Sequence, residues 1–187
     1  MNNVHTHLAI GATVLAALLT TAPQAIAEER VCRGTIGAVA LDNIRVPDGA
    51  RCVLNGTQAN GQVVVGTGST LVANGVSING NLQAEGSRSV QLRGTSTVGG
   101  SVQIVQGGGA RIENASINGD LLFDSNDRFV QALGNSIGAD LQAFQNTGGV
   151  RIKNNVIDGN LQCKANVPAP TGSGNQASSK EDQCARL

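Results

Sequence analysis

Short stretches in which apolar and polar residues alternate return about every twenty residues along most of the chain. The clearest copies are I-N-G-N-L-Q, from Ile78 to Gln83, and I-D-G-N-L-Q, from Ile157 to Gln162. Related phrases begin at Ala59, Val98, Ile117 and Ile137, which keeps the interval between neighbouring copies nearly constant. A fixed period of this length predicts a solenoid, in which each repeat is one coil and stacked coils share a core.

Alternation within a repeat predicts which side chains face the core. Ile78, Leu82 and Ala84 are expected to point inward, whereas Asn81 and Gln83 point to solvent. A second strand follows in each repeat, and its inward positions hold Val90 and Leu92, Ala110 and Ile112, Val130 and Ala132, and Val150 and Ile152. Each coil is therefore expected to contain at least two strands.

Two further positions in the repeat predict bends. Glycine is third in most copies of the phrase, but Ala139 takes its place once, so the position requires a small residue rather than a positive φ. Asparagine follows the repeated leucine by a constant interval at Asn126, Asn146 and Asn166. Because asparagine tolerates turns, these residues predict a corner with a hydrogen-bonded ladder of stacked side chains.

These patterns predict an all-β protein, a single-stranded right-handed parallel β-helix (β-solenoid) of about six coils of ~20 residues. Residues 28–56 are interpreted as an N-terminal cap, 57–166 as the solenoid and 167–187 as a C-terminal capping tail. The tail contains Pro168 and Pro170 followed by Gly172 and Gly174, which argues against another coil.

Four cysteines lie near the two ends of this region. The interval from Cys32 to Cys52 equals one repeat, and the interval from Cys163 to Cys184 is one position longer. Three pairings are open from sequence. The spacing of one coil favours the two local bonds, because residues one coil apart lie close enough for a disulfide. Disulfide-stapled ends are therefore predicted.

Residues 1–27 are interpreted as a signal peptide. Leu8–Leu19 is an apolar run, and Ala25-Ile26-Ala27 is typical of a cleavage site. A membrane anchor is the alternative, but these apolar residues are too few, since a span takes ~20. We expect a secreted protein, located in the periplasm, at the cell surface or outside the cell, with no membrane span after cleavage.

Composition narrows the functional classes. The chain has 13 basic and 13 acidic residues, unlike the basic footprint of a nucleic-acid-binding protein. Its two histidines, His5 and His7, both lie in the predicted signal peptide. The exported part therefore has no imidazole for Ser-His-Asp catalysis or for zinc and copper sites, and no cofactor is expected.

The repeated phrases resemble the coils of short bacterial parallel β-helices of the pectin-lyase-like superfold. They are also similar to the glycine-spaced repeats of bactofilin-type polymer-forming proteins. The ending, from Gly159 to Lys164 and on through Pro168, Pro170 and Cys184, resembles a group of exported bacterial proteins of unassigned function. The resemblance implies a parallel β-helix and supplies no catalytic residues.

The candidate site consists of carboxylates on one outward column. Asp120 and Asp140 take the same position in neighbouring coils, which places them ~5 Å apart. Such a pair could hold calcium or act as the two carboxylates of a glycosidase. The alternative is a solvated polar face, which the same column would form with Asn81, Ser101 and Asn160.

Two other outward columns carry polar residues. One contains Gln83, Gln103, Gln142 and Gln162, which are expected to form a hydrogen-bonded ladder interrupted by Leu122. The other alternates Gln91, Arg111, Gln131 and Arg151, whose arginines are ~10 Å apart and too sparse for a strong anion site.

The first functional hypothesis is an exported, non-enzymatic β-solenoid with a structural or cell-surface interaction role. Its expected partners are copies of itself or a cell-envelope polysaccharide. The second hypothesis is a polysaccharide-binding module that uses the flat Asn/Asp/Gln face, with or without calcium. The third is a minimal polysaccharide lyase or hydrolase that uses Asp120 and Asp140.

Overall fold

A computed structural model describes residues 28–187, and the predicted signal peptide lies outside the described residues. Every regular element in this part of the chain is a β-strand. The strands are, in chain order, β1 (Glu29–Val31), β2 (Thr35–Ile36), β3 (Ala40–Leu41), β4 (Asn43–Val46), β5 (Arg51–Asn55), β6 (Gln58–Ala59), β7 (Val63–Val65), β8 (Thr70–Asn74), β9 (Ser77–Ile78), β10 (Leu82–Glu85), β11 (Ser89–Arg93), β12 (Thr97–Val98), β13 (Val102–Val105), β14 (Gly109–Glu113), β15 (Ser116–Ile117), β16 (Leu121–Asp124), β17 (Val130–Leu133), β18 (Ser136–Ile137), β19 (Leu141–Phe144), β20 (Val150–Lys153), β21 (Val156–Ile157), β22 (Asn160–Lys164), β23 (Thr171–Ser173) and β24 (Ser179–Asp182).

Three parallel sheets run along the molecule, and each complete coil contributes one strand to each sheet. Sheet A contains β1, β4, β7, β10, β13, β16, β19, β22 and β24. Sheet B contains β2, β5, β8, β11, β14, β17, β20 and β23, and sheet C contains β3, β6, β9, β12, β15, β18 and β21. The chain is thus a parallel β-solenoid, as predicted.

The solenoid has about eight coils rather than the six expected from the repeat. Both end segments add strands: β1, β2 and β3 lie in residues 28–56, and β23 and β24 lie in residues 167–187. β23 pairs in parallel with β20, and β24 pairs with β22. The expectation that the tail forms no further coil was wrong, because Pro168 and Pro170 lie in the turn before β23, where no ladder N–H is lost.

The predicted alternation is confirmed by burial. Ile78, Leu82 and Ala84 are at most 2% exposed, and the second-strand residues Val90 and Leu92 are fully buried. The core is a stack of single columns, one for each inward position. The column of Phe123, which is fully buried, is occupied by Ile104 in the preceding coil and by Ala143 in the next, so that a small residue follows the large ring.

Both predicted disulfides are present. Cys32 is bonded to Cys52 with a Cα–Cα distance of 5.5 Å, and Cys163 to Cys184 with 5.2 Å. All four cysteines are at most 2% exposed. The first bond ties the segment after β1 to β5, and the second holds the final turn of the chain against the core at β22.

Candidate functional site

The candidate ligand column lies at the corner between sheets C and A, where its side chains brace neighbouring coils. Asn81 Oδ1 accepts a hydrogen bond from the backbone N–H of Ser101 at 2.8 Å, and Ser101 Oγ accepts one from the N–H of Asp120 at 3.0 Å. Asp120 Oδ1 accepts one from Asp140 N–H at 3.0 Å, and Asp140 Oδ1 one from Asn160 N–H at 2.7 Å. The structure therefore brings all five residues together, and it gives each of the first four a bond to the backbone of the next coil.

Asp120 and Asp140 each have one carboxylate oxygen that takes no part in these hydrogen bonds between coils. Asp120 and Asp140 are half-buried, and Oδ1 of each is the atom that accepts the backbone N–H. Calcium takes about six to eight oxygen ligands. In residues 28–187 no group of three or more histidine, cysteine, aspartate or glutamate residues is placed to hold a metal. Calcium binding by this pair stays a prediction, and such an ion would draw most of its ligands from water or from a bound molecule.

Three glycines of the repeated phrase lie against the same brace. Gly100, Gly119 and Gly159 all have negative or extended φ, so conformational freedom is not the reason for them. A Cβ at Gly100 would overlap Oδ1 of Asn81, and one at Gly159 would overlap Oδ1 of Asp140. The bracing side chain of the preceding coil occupies the space at these positions, which supports the predicted need for a small residue, and Ala139 shows that a methyl group is accommodated above Asp120.

The corner between sheets A and B carries the predicted asparagine ladder. Asn126 Nδ2 donates to Asn146 Oδ1, and Asn146 Nδ2 donates to Asn166 Oδ1, both at 2.9 Å. The backbone N–H groups of Asn126 and Asn146 donate to the same two oxygens at 3.1 Å. Gln183 ends the ladder, because its Oε1 accepts from the N–H of Asn166 at 2.9 Å.

A second asparagine ladder, at the corner between sheets B and C, was not predicted from the sequence. Asn135 Nδ2 donates to Asn155 Oδ1, and Asn155 Nδ2 donates to Asn175 Oδ1, both at 2.9 Å. These three asparagines are again spaced by one repeat, and that regularity could have revealed them. Asn175 lies in the tail, so this ladder also holds the last coil in register.

The glutamine column forms a ladder only in its C-terminal half. Gln142 Nε2 donates to Gln162 Oε1 at 3.0 Å, and Gln162 Nε2 donates to Glu181 Oε2 at 3.0 Å. Within the described coils no such bond joins Gln83 to Gln103. The prediction is thus confirmed on the C-terminal side of Leu122, and Glu181 extends the ladder into the final strand.

Sheet B carries more positive charge than its arginine column predicted. Arg111 forms two hydrogen bonds of 2.9 Å with Glu113 in the same strand. Those bonds, together with the charges of Arg111 and Arg93, hold the pKa of the Glu113 carboxyl below its ordinary value. Lys153 lies in the same strand as Arg151. The neighbouring column therefore adds Arg93 and Lys153 to a face on which the sequence pattern indicated only two arginines.

Comparison of the chain with protein-family models, with curated proteins and with solved structures yields no match. Within residues 28–187 no helix is long and apolar enough to cross a bilayer. The two disulfides are typical of a protein from an oxidising compartment.

Proposed function

We propose that this protein is an exported, non-enzymatic β-solenoid with a structural or cell-surface interaction role. The observation that carries the proposal is that columns of polar side chains join successive coils to one another. At all three corners, polar side chains form hydrogen bonds between successive coils. Such columns make a rigid rod with flat sides, and the disulfides support a place outside the cytoplasm. A pectin-lyase-like or bactofilin-like ancestry is part of the same proposal.

Export is tested by fractionating bacterial cells that express the full chain. We expect a chain shortened by about 27 residues, with both disulfides formed, in the periplasm, at the surface or in the medium. Thiol labelling before and after reduction measures the disulfides, and mass spectrometry measures the new N-terminus. A full-length chain with free thiols in the cytoplasm would contradict the proposal.

The residues at the two ends of the rod oppose end-to-end stacking of copies. They therefore favour a role for the sides of the rod. In the first strand Arg30 aligns with buried Ile44, and in the last strand Lys180 aligns with buried Leu161. Both charged residues therefore take core positions of sheet A on terminal strands. An inward charge on an edge strand opposes pairing with another molecule, because stacking would bury it.

Removal of these charges is expected to allow end-to-end association. We expect the Arg30→Leu/Lys180→Leu variant to form longer species as concentration rises, while the wild type stays monomeric in about 0.5 M salt, where surface charges are screened. Sedimentation velocity and negative-stain electron microscopy measure this. The matched control, Arg33→Leu/Arg186→Leu, changes two exposed arginines near the same ends but outside the strands. Stacks of the wild type, or equal stacking of the control, would refute the role of the ends.

A second candidate function is polysaccharide binding through the Asn/Asp/Gln face of sheet A. It is favoured by the carboxylate oxygens of Asp120 and Asp140 that the corner brace leaves free. Carboxylates and amides beside one another are suited to hydrogen bonding with sugar hydroxyls. Calcium is an optional part of this candidate.

A further inference from the structure

Charge is unevenly divided between two sides of this neutral chain. The outward positions of sheet A and the residues immediately before its strands carry eight acidic and two basic side chains. They are Glu28, Glu29, Asp42, Glu85, Asp120, Asp124, Asp140 and Glu181, with Arg45 and Lys164. The outward positions of sheet B carry five basic and one acidic side chain. They are Arg51, Arg93, Arg111, Arg151 and Lys153, with Glu113.

Sheet C forms the third side of the coil and has no charged residue in any of its strands. The side of sheet A therefore has an excess of six negative charges, and the side of sheet B has an excess of four positive charges. The outward side of sheet A is called the acidic face, and the outward side of sheet B is called the basic face.

Few of these charges are neutralised within the molecule. In residues 28–187 the ion pairs on the two faces are Arg45 with Glu29 and Arg111 with Glu113. Asp120, Asp140, Arg151 and Lys153 form no ion pair within the described coils. A flat face with unpaired charges of one sign attracts a surface of the opposite sign, and here that surface is on the same chain.

We propose that the rods associate side by side, with the basic face of one copy against the acidic face of a second copy. Both faces have the coil spacing of about 4.8 Å, so that charges on the two copies share one repeat along the rod axis. The contact joins two different surfaces. It is therefore heterologous, and it continues from copy to copy instead of closing as a two-fold dimer.

The size of the faces sets the strength of the contact. Sheet A is about 38 Å long by strand spacing and about 13 Å wide for strands of four residues, which gives about 500 Å² on each copy. The two copies together then bury about 1000 Å², at the low end for specific interfaces, so association is weak and depends on low salt. This inference rests on the structural role proposed above and assigns its partner as a second copy.

The test is complementation between two face variants. The acidic-face variant is Asp120→Asn/Asp140→Asn, which keeps the Oδ1 acceptors of the corner brace. The basic-face variant is Arg151→Gln/Lys153→Gln. The matched control, Arg33→Gln/Arg186→Gln, removes two positive charges from exposed positions near the ends of the rod and outside the strands. Thermal unfolding of each variant checks that the fold is retained.

Sedimentation of the purified, oxidised protein at about 20 mM salt, where the Debye length exceeds about 20 Å, is expected to show wild-type species larger than a dimer. These species should dissociate at about 0.5 M salt. Each face variant alone is expected to associate at least tenfold more weakly, whereas the control associates like the wild type. An equal mixture of the two face variants should form dimers and nothing larger, because one intact acidic face and one intact basic face remain.

A monomeric wild type at low salt, a mixture that stays monomeric, or equal loss in the control would overturn the proposal. A wild type that stays monomeric but binds polyglutamate would assign the basic face to another acidic partner. That result would also overturn the proposal of side-by-side association. None of these results bears on export or on the charged ends, which their own experiments test separately.

Discussion

Replacement of Asn146 by alanine is expected to lower the free energy of unfolding by about 2–4 kcal/mol, because it leaves buried polar groups unpaired. Asn146 is fully buried in the ladder between sheets A and B. Its Oδ1 accepts from the backbone N–H of Asn126, and its Nδ2 donates to the carbonyl of Phe123. An alanine methyl can satisfy neither group, and water does not reach them.

Urea titration followed by circular dichroism measures this loss, and the melting temperature is expected to fall by about 5–12 °C for a chain of this size. Gln142→Ala is the matched control, because it removes an amide from a ladder at a half-buried, outward position. It should cost less than about 1 kcal/mol, since water can replace the lost partner. Equal losses of unfolding free energy in the two variants would contradict the argument that burial makes the Asn146 ladder more costly to break.

Removal of the C-terminal disulfide in a Cys163→Ala/Cys184→Ala variant is expected to lower stability by about 3 kcal/mol, the value for closing a loop of similar length. The loss should be local. The final turn, from Cys184 to Leu187, would detach from the core at residue 163 and expose Leu187. In a solenoid each coil contacts only its neighbours, so an end opens before the centre.

Hydrogen exchange measures where this variant opens. We expect faster exchange in residues 160–187, while the coils near Ile104 keep the wild-type rate. The matched control is Cys32→Ala/Cys52→Ala, which should accelerate exchange at the N-terminal end instead. Uniform acceleration along the whole rod in either variant would contradict the nearest-neighbour picture and indicate that the chain unfolds as one unit.

The two asparagine ladders differ in how visible they are from the sequence. Asn126, Asn146 and Asn166 are predicted because they keep a constant distance from a repeated leucine. Asn135, Asn155 and Asn175 keep an equally constant spacing, but their corner has no strong phrase beside it. Residue 175 was also expected to lie outside the coils. The constant spacing was sufficient to predict this second ladder. The ladder was missed because the repeat was assumed to end before residue 175.

The extra coils at the ends could not be predicted from hydrophobic pattern. Arg30, Gly172 and Lys180 take positions that align with buried apolar residues in the neighbouring strand. Alternation therefore fails there, although the strands form. Their pairing depends on the exposed N–H and C=O groups of the neighbouring coil, which accept a strand of almost any composition.

By itself the sequence determined the parallel solenoid, its inward residues and both disulfides, because a fixed period places equivalent residues next to each other. The tertiary structure decided the number of coils, the use of Asp120 and Asp140 in the corner brace, and the separation of charge between sheets A and B. Each of these depends on which backbone group or which face lies beside a residue. That relation arises only when three strands per coil are folded around one core.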